Sequence, residues 1–329
     1  HEFEELYDVL EEFGTGAFSV VYSVRSKRCG PRGSERAAKI MNKDTFIDEV
    51  QMRRVRDECR ALAELRHENV IELFELLESP TKVYLLMELA RGGELFDRIV
   101  SRGSFSEPQA IRVIRQLLGV LSFMHSRGVI HRDIKPENIL LASSEGWDIK
   151  VSDFGLVKII EGIAGSCSGA LLENSLNSLP SVGFAATSTC CSSAADLQRT
   201  MTFCGSTYYM APEVAWHFRR LGEGYGSGVD VWAAGIVLYI LLSGAPPWDQ
   251  AHIPQPPTGN GSSGVPNKAS GVSFPGDLFG SVSVDARNAI EEMLIVDPKA
   301  RPTADQMLHH RWLQPEMEPV LLRSGSRLS

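Results

Sequence analysis

The feature that most narrows the fold is a change of hydrophobic rhythm at Gly92-Gly93. Before it, β-branched and aromatic residues come in short runs separated by turns. Tyr7–Leu10 leads through Gly14-Thr15-Gly16 to Ser19–Val24, two extended runs about a glycine turn. The polar stretch Cys29–Ser34 then precedes Ala37-Ala38-Lys39-Ile40-Met41. Asp48–Leu65 has helical spacing, with Cys59, Leu62, Ala63 and Leu65 as its apolar face. Val70–Leu77 and Val83–Leu89 have the character of strands. After the two glycines, long helical patterns dominate, as in Glu107–Ser126 and Val229–Ser243. A strand-rich front and a helix-rich rear predict an α+β chain of two lobes joined near Glu88–Arg91, with residues 1–88 in the smaller and 89–313 in the larger.

The chain has 329 residues, 43% of them apolar, which is ample for a large core. A net charge of -8 gives a nucleic-acid partner no electrostatic support. No apolar run reaches the length of a membrane span, and the acidic start His1-Glu2-Phe3-Glu4-Glu5 lacks a signal-peptide pattern. Six cysteines (Cys29, Cys59, Cys167, Cys190, Cys191 and Cys204) show no CxxC pair, so neither a zinc site nor a disulfide framework is predicted. A reducing, intracellular setting, the cytoplasm first, is the expectation. Two segments break the pattern. Residues 162–198 are rich in Ser, Ala, Gly and Thr, and 253–271 in Pro, Gly, Ser and Asn. Both read as insertions, and 314–329 as a short tail.

Chemistry concentrates in His131-Arg132-Asp133-Ile134-Lys135-Pro136-Glu137-Asn138, followed by Asp153-Phe154-Gly155. The first run sets an acid, a base and an amide at fixed spacing on one loop, and the second adds a carboxylate. Upstream, Gly14-Thr15-Gly16-Ala17-Phe18-Ser19-Val20-Val21 offers glycines whose backbone N–H groups can approach phosphates. Taken alone, that run is an ordinary hairpin turn, and Asp133 a turn or cap residue. Lys39 alone would be an edge-strand lysine. Flanked by apolar residues, however, it needs a partner, because burying an unpaired ammonium is costly. Glu58 is the leading candidate and Glu64 the rival.

In order and spacing, these runs resemble the glycine-rich, catalytic and metal-binding loops of eukaryotic-type Ser/Thr protein kinases. The resemblance extends from about Tyr7 to Trp312. It implies a bilobal fold in which Asp133 is the catalytic base and Lys135 steadies the transferring phosphoryl group. Asn138 and Asp153 would hold Mg2+, and Lys39, paired with Glu58, would contact the ATP phosphates. The implied ATP site comprises Gly14, Thr15, Gly16, Ala17, Phe18, Ser19, Val21, Ala37, Lys39, Met87, Glu88, Leu89, Glu94 and Leu140. Ser19 stands where the family's third glycine falls. Ala211-Pro212-Glu213, Asp230 and Arg301 resemble structural positions, with Arg301 the buried partner of Glu213 and Asp230 the brace of the catalytic loop.

Gly93-Glu94-Leu95-Phe96-Asp97 and Lys135-Pro136-Glu137-Asn138 resemble the calcium/calmodulin-dependent group. Glu94 and Glu137 would read a basic residue upstream of the phosphorylated Ser or Thr of a protein substrate. Arg132 would need an anion, supplied by phosphate on Thr202 (Thr200 the alternative) from an upstream activating kinase. Ser206 would hydrogen-bond the catalytic Asp and Lys. The segment Trp248–Phe274 lacks the group's usual amphipathic helix, and the tail carries no basic amphipathic helix for calmodulin. The competing reading is a pseudokinase, a scaffold on the same fold.

Overall fold

A computed structural model describes residues 3–16, 19–28, 35–45, 49–159, 208–217, 225–248 and 271–314. Ala17, Phe18, Thr202, Ser206 and residues 162–198 lie outside the described residues, as do 253–270.

The smaller lobe is an antiparallel sheet of β1 (Tyr7–Thr15), β2 (Ser19–Ser26), β3 (Glu35–Asn42), β4 (Leu73–Glu78) and β5 (Lys82–Met87), in the order β1-β2-β3-β5-β4. Alternation gives the sheet two apolar faces. On the outer face, Val24, Ala38, Tyr84 and Leu86 form a cluster with Phe3 and Leu6 of a short helix, α1 (Phe3–Leu6). The Phe3 ring stacks on Tyr84 with centroids 4.3 Å apart. Met41, Leu76, Val83 and Leu85 share one core cluster with α2 (Glu49–Glu64) and the larger lobe. Among the side chains described, from Val55 on, the buried apolar residues of α2 are Val55, Cys59, Ala61 and Leu62; Ala63, expected in the apolar face, is only half-buried.

Both of the last two strands are shorter than their patterns suggest. Val70 and Ile71 do not join β4 but bond to the larger lobe: Ile71 N–H donates to Val151 O at 3.0 Å, and Val151 N–H to Asn69 O at 2.8 Å. Glu88 and Leu89 leave β5 to begin the link between the lobes.

The larger lobe begins with α3 (Leu95–Arg102) and α4 (Glu107–Ser126), the latter with the bounds its sequence pattern predicts. Four short strands follow: β6 (Val129–Ile130), β7 (Ile139–Leu141), β8 (Ile149–Val151) and β9 (Lys158–Ile159). β6 pairs with β9 and β7 with β8. This pairing sets residues 131–138 beside residues 152–157, two loops that are distant in sequence. Further on come α5 (Pro212–His217), α6 (Gly228–Ser243), α7 (Gly276–Phe279), α8 (Val284–Met293) and α9 (Ala304–Leu308). α6 is apolar all round and buried from Val229 to Ser243, as a helix at the centre of a lobe must be. At Gly235 a Cβ would stand 2.8 Å from the Met293 Cβ, so α8 approaches α6 closely because a glycine stands there.

Candidate active site

The roof of the site is set by register. Val21 pairs with Lys39, Ser23 with Ala37, and Ala37 with Met87. Directly opposed residues share a face, so Val21, Ala37 and Lys39 lie on the inner face, opposite the outer cluster containing Val24 and Ala38. Gly14 is opposite Val21, and the turn is closed by Gly16 N–H donating to Ser19 O at 2.7 Å. The register shifts between Glu12, opposite Tyr22, and Gly14, opposite Val21, so Phe13 sits at an irregularity of β1 and is 53% exposed. Glu12 accepts from the Thr15 hydroxyl at 2.7 Å.

Leu140 belongs to the floor. It lies in β7, bridged to Glu94, and β7 is tied to Gly92 and Gly93 by Gly92 N–H to Leu141 O and Leu141 N–H to Gly93 O, both 2.9 Å. In the link, the Glu88 carboxylate turns to Lys150 at 2.7 Å and its backbone N–H donates to Glu72 O at 2.9 Å. Met87 and Leu89 are partly buried beside it.

Lys39 Nζ lies 2.7 Å from Glu58 Oε1 and 3.3 Å from Asp153 Oδ1. Glu58 is thus the partner, and Glu64 is not. Burial alone would lower the Lys39 ammonium, but the two carboxylates outweigh it and hold its pKa above the ordinary lysine value. Burial raises the Glu58 carboxyl, with Lys39 opposing. Asp153 is held below its usual range, chiefly by Lys39. At Gly155 a Cβ would meet Asp153 Oδ1 at 3.3 Å, so the glycine leaves room for that carboxylate.

Asp133 Oδ2 accepts from Lys135 Nζ at 2.8 Å and from Asn138 Nδ2 at 2.8 Å, and Asn138 Nδ2 also donates to Asp133 O at 2.7 Å. The loop is braced from beneath by Asp230, a fully buried carboxylate. It accepts from His131 N–H at 2.9 Å, Arg132 N–H at 2.8 Å and His125 Nε2 at 2.8 Å. Burial would raise its carboxyl, yet the hydrogen bond from His125 and the neighbouring histidines hold it below the ordinary value. His131 Nε2 donates to Ser152 O at 3.1 Å, leaving Nδ1 to accept Asp133 N–H at 3.3 Å. Its ring meets Phe154 edge-on at 4.8 Å. Arg132 (φ 69°) and Asp153 (φ 56°) are the two non-glycine residues with positive φ among those described. Strain of this kind persists only where surrounding contacts impose it, and it concentrates at functional sites.

The Arg132 fork meets three neutral acceptors among the described residues: Leu156 O at 2.5 Å, Tyr225 Oη at 3.2 Å and Val157 O at 3.3 Å. The carbonyls come from the segment beyond Asp153, a proximity that no local spacing reveals. Arg301 does meet Glu213, at 2.7 and 3.0 Å, in a bidentate pair.

Glu94 and Glu137 are electrostatic neighbours. Burial first, then Asp97 and Glu137, raise the Glu94 carboxyl. Glu137 Oε2 is buried with no hydrogen-bond partner among the described residues.

The donor set suits a hard cation. Asp153 offers a carboxylate, and Asn138, with its amide nitrogen committed to Asp133, offers its amide oxygen. No cluster of three His, Cys, Asp or Glu side chains converges among the described residues. Mg2+ needs none, because it is commonly bound by one or two protein oxygens together with substrate phosphates and water.

Two lobes, a lysine–glutamate pair beneath a glycine turn, and an aspartate held by a lysine and an asparagine define a phosphotransferase. Residues 7–174 and 182–313 match the protein kinase domain family, and the chain belongs to it, as an ATP-dependent kinase of the serine/threonine type. It is 33% identical over 314 residues to myosin light chain kinase A of Dictyostelium discoideum, covering 95% of this chain and 90% of that protein. It is 35% identical over 314 residues to calcium/calmodulin-dependent protein kinase type 1 of Caenorhabditis elegans, covering 94% of this chain and 74% of that protein. The calcium/calmodulin-dependent protein kinase type II alpha chain of Drosophila melanogaster is 35% identical over 323 residues, with 94% of this chain and 50% of that protein covered. The chain thus spans half the length of the last of these. No described helix is long and apolar enough to cross a membrane.

Proposed function

We propose that this kinase moves the γ-phosphoryl group of Mg-ATP to a Ser or Thr hydroxyl in a protein segment with a basic residue upstream. The observation that carries the reading is the convergence of Asp133, Lys135 and Asn138 within 2.8 Å on one side, and Lys39, Glu58 and Asp153 within 3.3 Å on the other. Asp133 orients the acceptor hydroxyl and takes its proton. Lys135, now on Asp133, is placed to share its charge with the group in transit. Lys39, fixed by Glu58, holds the nucleotide phosphates, and Asp153 and Asn138 supply oxygens to the metal. When bound, Mg2+ neutralises charge on the phosphate oxygens. Asp133 keeps a fixed direction because Asp230 holds the two backbone N–H groups before it.

The orphaned Glu137 Oε2 and the raised Glu94 carboxyl support recognition of a cation, since an arginine or lysine there would relieve both. Phosphate on Thr202, or on Thr200, placed there by another kinase, belongs to the same reading. Its support is that all three described acceptors of Arg132 are neutral, leaving the positive charge to attract an anion. The setting proposed is intracellular, where ATP is plentiful.

Transfer from Mg-ATP to an Arg-x-x-Ser peptide, followed by mass spectrometry, tests the core of the proposal. Asp153→Asn is expected to lose transfer by a factor of about 10³ or more, as loss of several kcal/mol of charge stabilisation implies. A variant that keeps its rate removes the metal assignment. Replacing the peptide's Arg by Ala should raise KM about tenfold. Thr202→Ala should lower kcat several-fold, and an unchanged rate rules that threonine out.

A further inference from the structure

Arg132 is gripped twice by a single stretch of chain. Asp230, in the first turn of α6, takes its backbone N–H at 2.8 Å. Five residues earlier, the Tyr225 hydroxyl accepts from its Nη1 at 3.2 Å, and the ring lies 6.0 Å from the guanidinium. The remaining bonds of the fork run to the Leu156 and Val157 carbonyls, just past Asp153. Arg132 therefore joins three parts: the loop of Asp133, the loop of Asp153, and the segment leading into α6. It does so at a φ of 69°, a conformation the chain leaves unless several contacts hold it.

We infer that Tyr225 is a positioning residue for phosphoryl transfer. Its hydroxyl completes the arginine fork and aligns the two catalytic loops while no phosphate is attached nearby. A phosphate on Thr202 would be a stronger acceptor than a phenol, because a charge-assisted bond to a guanidinium is roughly twice as strong as a neutral one. Tyr225 then matters most in the unphosphorylated enzyme. This second half rests on the activation reading above; the first half rests on geometry alone.

A double-mutant cycle on kcat separates the two. The variants are Tyr225→Phe, Arg132→Ala and both together, in a Thr200→Ala/Thr202→Ala background. Loss of one hydrogen bond should lower kcat roughly five- to tenfold in Tyr225→Phe, with KM for ATP and for peptide within about twofold. The double variant should be no slower than Arg132→Ala, because the proposed effect of the hydroxyl on kcat runs through that side chain. A merely structural tyrosine would give additive losses, and additivity, or an unchanged kcat in Tyr225→Phe, overturns the proposal. Tyr225→His, which retains a ring with an acceptor nitrogen, should recover part of the rate where the phenylalanine variant folds poorly, and no recovery counts against the proposal. In otherwise wild-type enzyme phosphorylated at Thr202, Tyr225→Phe should cost less than twofold. A full loss there removes the substitution by phosphate while leaving the positioning role. Absence of transfer in every protein, wild type included, overturns both this inference and the kinase mechanism beneath it.

Discussion

Lys39, Glu58 and Asp153 form a triad whose charges respond to pH in different directions. Lys39 has a raised folded pKa. Its contribution to stability is complete below the ordinary lysine value of about 10.4 and is lost as pH rises through the folded value. The Asp153 value is lowered, so its contribution is complete above about 3.9 and is lost as pH falls through the lowered value. Glu58, raised by burial, takes a proton before Asp153 as pH falls and releases Lys39. The acid limb of kcat should therefore belong to Glu58. In Glu58→Gln, kcat at pH 7.5 should drop about tenfold or more, and the acid limb should move to lower pH. Steady-state kinetics from pH 5 to 8 check this; an acid limb that does not move assigns it to another group. Lys39, Glu58, Asp133, Asn138 and Asp153 were legible in the sequence because each sits in a short run of fixed spacing. Tyr225 and the acceptors of Arg132 were not, because contacts across 24, 25 and 93 residues decide them.

At the scale of elements, long helices were easy to read and very short strands were not. α2 and α4 carry apolar periodicity over 16 and 20 residues, and α6 is a continuous apolar run within 16. The strands β6 and β9 have two residues each, and β7 and β8 three, too few for any alternation to show. Yet those four bring the catalytic loops together. Val70 and Ile71 carried the strand pattern but went to the other lobe, because their backbone groups found Val151 and the Asn69 side chain found Gln116 Oε1 at 2.8 Å. Elsewhere one side chain clasps the lobe. Glu107, at the start of α4, accepts from Ser283 N–H at 2.7 Å, the Ser283 hydroxyl at 2.8 Å and Trp312 Nε1 at 2.8 Å. It pins the N-cap of α8 and the Trp312 ring to the first long helix of its lobe. Glu107→Ala should cost about 2 kcal/mol of stability in urea unfolding, with kcat within twofold of wild type. A loss under 0.5 kcal/mol would mean that water replaces these bonds at no cost.

The whole molecule is two bodies with little chain between them. Residues 88–91 carry the backbone across. Asn69 and Ile71 give a second attachment at the back, with the Lys150–Glu88 pair beside it. Cleft motion is thus confined by two tethers on one side, and the open side belongs to the glycine turn. That arrangement makes nucleotide affinity visible as stability: at a hundred times its Kd, a Mg-nucleotide should add about 2.7 kcal/mol and raise Tm accordingly. A shift that persists without the metal would argue against a role for Asp153 and Asn138 in holding it.

β1 is the one strand of the sheet that buries nothing after Tyr7, from Asp8 to Thr15, and it lies at the sheet's edge. A strand of that kind is held mainly by its ladder to β2 and by whatever comes to rest beneath it. The base of a nucleotide bound as proposed would then act as borrowed hydrophobic core beneath it, present only while the enzyme is loaded. Between turnovers the roof should fray, with the amide protons of β1 expected to exchange with solvent ahead of those in β3 and β5.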